Sequence, residues 1–424
     1  MSSGGEMKYI IITYDITNMG GGQQYCRNKA EALKKKGYDV FIFSAVVGVV
    51  FIHELRQHEY GVIRELRYPA YCFTKGRVND VLDHILQLVG VVDQSTIIES
   101  TSIAAAQWGE LLARQIGCKH FLFNLQEVHS YSPTVISFLK FKLDRYELAG
   151  ISSRSVKLMF KGFYDIQNSE LYHFRAFCTN VISDTGSSIV DTLPIATYNI
   201  GSLGRLEKKF VYPTLLQLRG FIRSNPDKTF NILMIGGGAN KIVKKIEHLF
   251  VNVENARLLI TGYIYPVPRT LIGKMDVFFA SAGSARVTMQ EGIPTIAMGA
   301  DTEKPIGILN YTTKNIFYGE CEHSFTRLLQ MILEEKYCLK HADLGLASKS
   351  GSTDFNFEVD RQLGFINQNR ENRYYDVFSI KPESAGHKLY YFFGKMFGVK
   401  MLELVRSILH GFRLPQVRQS QPNP

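Results

Sequence analysis

Four short segments of this chain carry residues of the right type and spacing to hold a phosphate. Gly20-Gly21-Gly22 and Gly236-Gly237-Gly238 are glycine turns, each placed between an apolar run and a helical pattern. Glycine lets the backbone turn tightly and approach a ligand, and the helix beyond it offers free N–H groups and positive potential to an anion. The segment Gly201-Ser202-Leu203-Gly204-Arg205-Leu206-Glu207-Lys208-Lys209 opens a loop with one arginine and two lysines. Arginine grips phosphate oxygens as a fork and lysine as a point charge. A solvated basic helix start has the same composition. The last cluster, Ala280-Ser281-Ala282-Gly283-Ser284-Ala285-Arg286, stands between a strand pattern and a helix pattern. Its serines fit a diphosphate, and they equally fit the ordinary N-cap role.

The same residues exclude several chemistries. The third position of a dinucleotide fingerprint holds Tyr25 in the first turn and Lys241 in the second, and the second strand ends at Ser44 without an acidic residue for a ribose. Neither turn is a Walker-type loop, and no Gly-x-Ser-x-Gly elbow occurs. The histidines show no H-E-x-x-H or similar spacing, so no metal site is expected.

The elements that would position these turns follow a repeating pattern. Lys8 to Tyr14 is a continuous run of the kind found in buried parallel strands. A helix is expected over Tyr25 to Lys36, closed by Gly37, and a strand over Asp39 to Phe43. Strand and helix signals alternate again at Thr96–Ile98, Ala104–Gln115, Lys119–Leu125 and Val181–Ser183. A second series runs through Pro213–Arg223, Asn231–Ile235, Lys241–Phe250, Arg257–Thr261, Val277–Ala280 and Thr295–Met298. A helix is expected over Phe325 to Glu335 and a loop over Lys340 to Asp354. This alternation predicts an α/β chain with two doubly wound parallel blocks. The expected division is 1–195, 196–350 and a C-terminal helical segment 351–424.

At about 150 residues per domain, 424 residues are ample for two cores. The formal charge of +10 points to an anionic substrate or an anionic membrane face, because no nucleic-acid module is present. The six cysteines are scattered without a C-x-x-C pair, which reads as reduced thiols in the cytoplasm. No signal-type start and no run of about 18 apolar residues is present. From Leu389 to Arg413 the chain combines Phe, Tyr, Leu and Met with Lys395, Lys400, Arg406 and Arg413 at helical spacing. That segment fits either a helix packed across the domain interface or one lying on an anionic membrane.

Taken together, four stretches resemble the retaining, nucleotide-sugar-dependent glycosyltransferases of the GT-B fold, in the group 1 or family 4-like manner. They are MGGGQQYCRNKAEALKKKGYDVFIFS, NIGSLGRLEKKFVYPTLLQL, NPDKTFNILMIGGG and MDVFFASAGSARVTMQEGIPTIAMG. The resemblance spans roughly residues 7 to 365. It implies two facing Rossmann-like domains, with the acceptor on the first and the nucleotide-diphosphate sugar on the second as a substrate, no cofactor being expected. It implies that Arg205 and Lys208 or Lys209 meet the donor diphosphate, with Ser281, Gly283 and Ser284 beside it. Gly21 and Gly22 would approach the donor phosphate or the acceptor, and Gly237 would lie at the donor turn. The family's two glutamates, counted back from Gly292, fall on Phe279 and Val287, and Glu291 reads as a helix end. Glu127 or His129 would then supply the catalytic group of the first domain. The expected activity is sugar transfer to a glycan or lipid-linked acceptor in cell-surface polysaccharide synthesis. A non-catalytic scaffold of a glycan assembly complex is the alternative, and a nucleotide-sugar epimerase a third.

Overall fold

The structure, a computed structural model, describes residues 7–126, 131–300, 302–346, 355–369, 371 and 373–409. The first half holds strands β1 (Met7–Thr13), β2 (Tyr38–Ser44), β3 (Glu59–Val62), β4 (Ile97–Ser100), β5 (Lys119–Asn124) and β6 (Leu148–Gly150). Between and after them run helices α1 (Gly21–Lys35), α2 (Lys75–Val89), α3 (Ile103–Ile116), α4 (Pro133–Asp144) and α5 (Ser153–Met159). The strands form one parallel sheet in the order β3-β2-β1-β4-β5-β6. Strand alternation sends Ile10 and Ile12 to one face and Tyr9 and Ile11 to the other, so the sheet is buried on both sides.

The second half repeats this order. After β7 (Ile182–Ser183) and α6 (Ser188–Asp191) come β8 (Tyr198–Leu203), α7 (Val211–Arg223), β9 (Phe230–Ile235), α8 (Asn240–Phe250), β10 (Ala256–Gly262), β11 (Val267–Pro268) and α9 (Arg269–Gly273). They are followed by β12 (Val277–Ala280), α10 (Gly283–Gln290), β13 (Thr295–Met298), β14 (Pro305–Ile308), α11 (Phe325–Leu333), α12 (Tyr337–Lys340) and α13 (Ala342–Leu346). The sheet order is β10-β9-β8-β12-β13-β14, with only the edge strand β14 antiparallel. β7 was expected with the first series, yet it pairs in parallel with β11, and Leu193 is buried among Leu203, Leu233 and Leu271. The stretch from Ile182 to Leu193 therefore packs against the second half.

The C-terminal helices α14 (Phe355–Ile366) and α15 (Ala385–Leu409) return to the first half. α14 lies on α1, with Val359, Phe365 and Ile366 in the same cluster as Phe121. Its Gln362 accepts from the buried Lys29, which is also 3.4 Å from Glu99. α15 lays Leu402, Tyr390, Phe393 and Val399 on the opposite cluster. A helix spanning the domain interface was one expectation for this segment. Instead it packs on the outer face of the first half, because its inward residues meet Tyr68, Tyr71 and Phe73.

Candidate functional site

Both sheets present the carboxyl ends of their strands to a common cleft of about 500 Å³. In doubly wound sheets this is where ligands bind, at the point where strand order reverses, here between β1 and β4 and between β8 and β12. The volume is in the range of small-molecule sites.

On the second half, the cleft wall is built by three loops, two of them joined through their backbones and the third through a lysine side chain. Gly204 N donates to Ile235 O (2.9 Å) and Leu206 N to Gly237 O (3.0 Å). Gly236 has φ +154°, and a Cβ there would stand 1.9 Å from the Gly204 carbonyl oxygen, so only glycine fits. Glu207 Oε1 accepts from Ala239 N at 2.6 Å, which fixes the turn before α8. This clamp sets the direction of Arg205 and Lys208. Lys208 Nζ donates to the carbonyl of Ser281 (3.4 Å), at the start of α10.

The serine turn itself has two unusual features. Ala282, the N-cap of α10, takes φ +60°, a left-handed conformation that costs a non-glycine residue of order 1–3 kcal/mol and clusters at ligand sites. Ser281 is 1% exposed, lines the cleft, and its Oγ has no hydrogen-bond partner among the described residues. A buried hydroxyl left unpaired is costly, and a ligand oxygen would satisfy it.

The first half supplies the facing wall. Gly20 is the extended N-cap of α1, whose first turn contains no acidic residue. A Cβ on Gly20 would lie 3.8 Å from Arg205 Nε, so this arginine reaches across the cleft. Gln126 and Ile151 line it from the ends of β5 and β6, and Arg175, Cys178 and Asn180 close one side.

Of the residues marked in the sequence, Gly21, Gly22, Arg205, Lys208, Ser281, Gly283 and Ser284 meet in the cleft. Lys209 is exposed and Gly237 lies beneath the Tyr263 ring, and neither is among the lining residues. Glu127 and His129 lie outside the described residues. Phe279 is buried against Phe325, and Val287 sits in the cluster of Leu203 and Leu271, so neither faces the cleft. Glu291 ends α10, where it accepts from Arg269 at 2.7 Å. Sequence reading missed Arg175 and Tyr263, and it marked Arg286 only as the end of the serine cluster. Arg286 had a local signal, since a cation in the first turns of a helix opposes the helix dipole; Arg175 had none. The described lining residues thus include four cations, Arg175, Arg205, Lys208 and Arg286, and no carboxylate.

No family model and no curated protein matches this chain. Solved structures do. A glycosyltransferase from Rickettsia africae matches with a TM-score of 0.56 at 14% identity, covering 96% of this chain and 99% of that one. TarM of S. aureus, solved with UDP, matches with a TM-score of 0.57 at 8% identity over 85% of this chain and 100% of that one. Alr3699/HepE of Anabaena, solved with UDP-glucose, matches with a TM-score of 0.52 at 13% identity over 95% of this chain and 100% of that one. Such identities speak to architecture, and on that ground this chain has the two-domain GT-B fold of these glycosyltransferases.

Proposed function

We propose that this protein is a glycosyltransferase that takes a sugar from a nucleotide-diphosphate donor and passes it to a glycan or lipid-linked acceptor of the cell surface. The observation that carries the reading is the cation-rich, carboxylate-free set of described residues lining the cleft at the carboxyl ends of both sheets. It suits a diphosphate, and two of the structures sharing the fold were solved with UDP or UDP-glucose.

In this reading the donor diphosphate rests on the first turn of α10. Ser281 Oγ and the free N–H groups donate to it, and Arg205 and Lys208 flank it. An acceptor hydroxyl attacks the anomeric carbon, the bond to the diphosphate oxygen breaks, and negative charge builds on the departing group. Cations already held in place stabilise that charge without reorganising, and removing one such group typically costs about 10²–10³ in rate. Lys208 fits the role rather than Lys209, because its ammonium reaches the Ser281 carbonyl. Glu127 adjoins the cleft-lining Gln126 in sequence and is assigned the acceptor's proton.

The partner surface belongs to the same proposal. Among the described residues no helix is long and apolar enough to cross a membrane. α15 nevertheless turns Phe392, Met396, Phe397 and Ile408 outward at 55%, 63%, 56% and 71% exposure. Lys388 and Lys400 are exposed beside them, and Glu403, the helix's one carboxylate, is paired with Arg64. An apolar face fringed by cations fits an anionic bilayer at the cytoplasmic side.

Release of the free nucleotide from a panel of donors, the diphosphate from UDP-, GDP- and ADP-linked sugars and the monophosphate from CMP-linked ones, tests the central reading, with lipid and glycan acceptors present. Acceptor-dependent release supports it. Tight nucleotide binding without release under any acceptor would favour a scaffold that retains the ligand.

A further inference from the structure

Arg286 stands in the cleft under conditions that are unfavourable without a ligand. It lies in the first turns of α10, where a cation opposes the helix dipole. It is partly buried, and it has no ion pair or hydrogen bond among the described residues. The charge that acts on it most directly is another arginine, Arg175, from the opposite half of the molecule. Burial first, and the Arg175 guanidinium second, hold Arg286 below its ordinary range.

The helix geometry separates this pair from Arg205 and Lys208. At 3.6 residues per turn, positions 284 and 286 point about 200° apart, whereas 283 and 286 share a face. Ser284 faces the Arg205 loop, since a Cβ on Gly204 would lie 3.6 Å from its Oγ. Gly283 faces the first half, where a Cβ would meet the Cys178 carbonyl at 2.5 Å. Arg286 therefore looks toward the segment that carries Arg175 and away from the Arg205 loop. Arg205 and Lys208 already give one cation for each phosphate of a diphosphate.

We propose that Arg175 and Arg286, one from each half, form a second oxyanion subsite that holds a carboxylate or phosphate carried by the transferred sugar or by the acceptor. An anion there is shared by the two halves and offsets the unfavourable effect of Arg175 on Arg286. The identity of the occupant rests on the glycosyltransferase reading; the existence of the subsite does not.

The test uses the full chain and inorganic phosphate as the probe. Phosphate is titrated by thermal shift into the wild type, R205Q, R175Q, R286Q and R286K, with and without whichever nucleoside diphosphate binds. A ligand of the folded state raises the melting temperature. The subsite predicts that phosphate adds a shift to wild type, R205Q and R286K even with the nucleotide bound. R175Q and R286Q should lose it, weakening phosphate by about tenfold or more while nucleotide binding stays within about twofold. Retention of the nucleotide shift also reports that these variants fold. If phosphate adds nothing to the wild type, or if R286Q loses the nucleotide shift as R205Q does, the subsite is refuted. If no nucleotide binds at all, the donor reading fails while the phosphate titration still decides this one. A matched pair of donors, a nucleotide-linked uronic acid and the neutral hexose, then locates the anion. Tighter binding of the uronic acid that depends on Arg286 places it on the sugar, and equal binding places it on the acceptor.

Discussion

The N-terminal turn of α10 is seated directly on the first half of the molecule: a Cβ on Gly283 would stand 2.5 Å from the carbonyl oxygen of Cys178. Backbone cannot yield as a side chain does, so Gly283→Ala must push the halves apart. Overpacking of this kind costs about 1–3 kcal/mol. Denaturant unfolding should show that loss, and nucleotide binding should weaken with it. Wild-type stability and affinity in this variant would mean the contact does not hold the cleft.

Val287 stands where the resembling family carries a glutamate, and here it is packed with Leu203, Leu271 and Phe278. Val287→Glu should therefore unfold the second half rather than restore a ribose contact, because an unpaired buried carboxylate costs several kcal/mol. Circular dichroism and melting temperature decide this. A stable variant with tighter nucleotide binding would show that the side chain reaches the site.

Acid should destabilise the first half through a buried cluster. Lys142 Nζ donates to Glu110 at 2.6 Å, and His120 Nδ1 lies 3.0 Å from the same carboxylate. Burial opposes the charge on Glu110, yet Lys142 and His120 outweigh it and hold the carboxyl well below its usual range. Burial, then Lys142, holds His120 below its ordinary 6.5. Both folded values are depressed, so the unfolded chain binds protons first as pH falls. The His120 contribution is complete above about pH 6.5 and declines below it, and that of Glu110 is complete above about 4.5 and declines below it. Glu110→Gln should cost about 3–5 kcal/mol at neutral pH and flatten the stability profile below pH 4.5. An unchanged acid limb would remove this cluster from the account.

The outward face of α15 should bind anionic vesicles. Flotation with phosphatidylglycerol liposomes should retain the protein, and phosphatidylcholine alone should not. Replacing Phe392, Met396 and Phe397 by serine should abolish retention while leaving the fold intact, since the helix is held by Leu402, Tyr390 and Phe393 on its other face. Retention unaffected by these changes, or an exposed face buried in a dimer, would assign the surface otherwise.

Much of this architecture was legible in the sequence. Runs such as Lys8–Tyr14 and Asn231–Ile235 are β-branched or apolar past their first residue because parallel strands are buried on both faces. The turns that follow them contain the glycines and hydroxyls that now meet in the cleft. α1 begins four residues before its expected start, because Gly20 caps it in extended conformation. What escaped was long-range. Arg175 and Arg286 are brought together only by the facing of two halves, and β7 finds β11 only in the folded chain. The choice between Lys208 and Lys209 turned on the course of the loop between Gly204 and Val211, which spacing alone does not give. No local pattern said that α15 would lie on the first half rather than span both.

The most direct test of the donor site is a thermal-shift screen against UDP, GDP, ADP, CMP and their sugar conjugates. A clear rise with one nucleoside diphosphate is expected by mass action. Arg205→Ala and Lys208→Ala should abolish it, and Lys209→Ala should keep affinity within about twofold, as an exposed residue away from the cleft would. No shift with any nucleotide, or a shift indifferent to Arg205 and Lys208, would contradict the claim that this cleft holds a nucleotide-diphosphate donor.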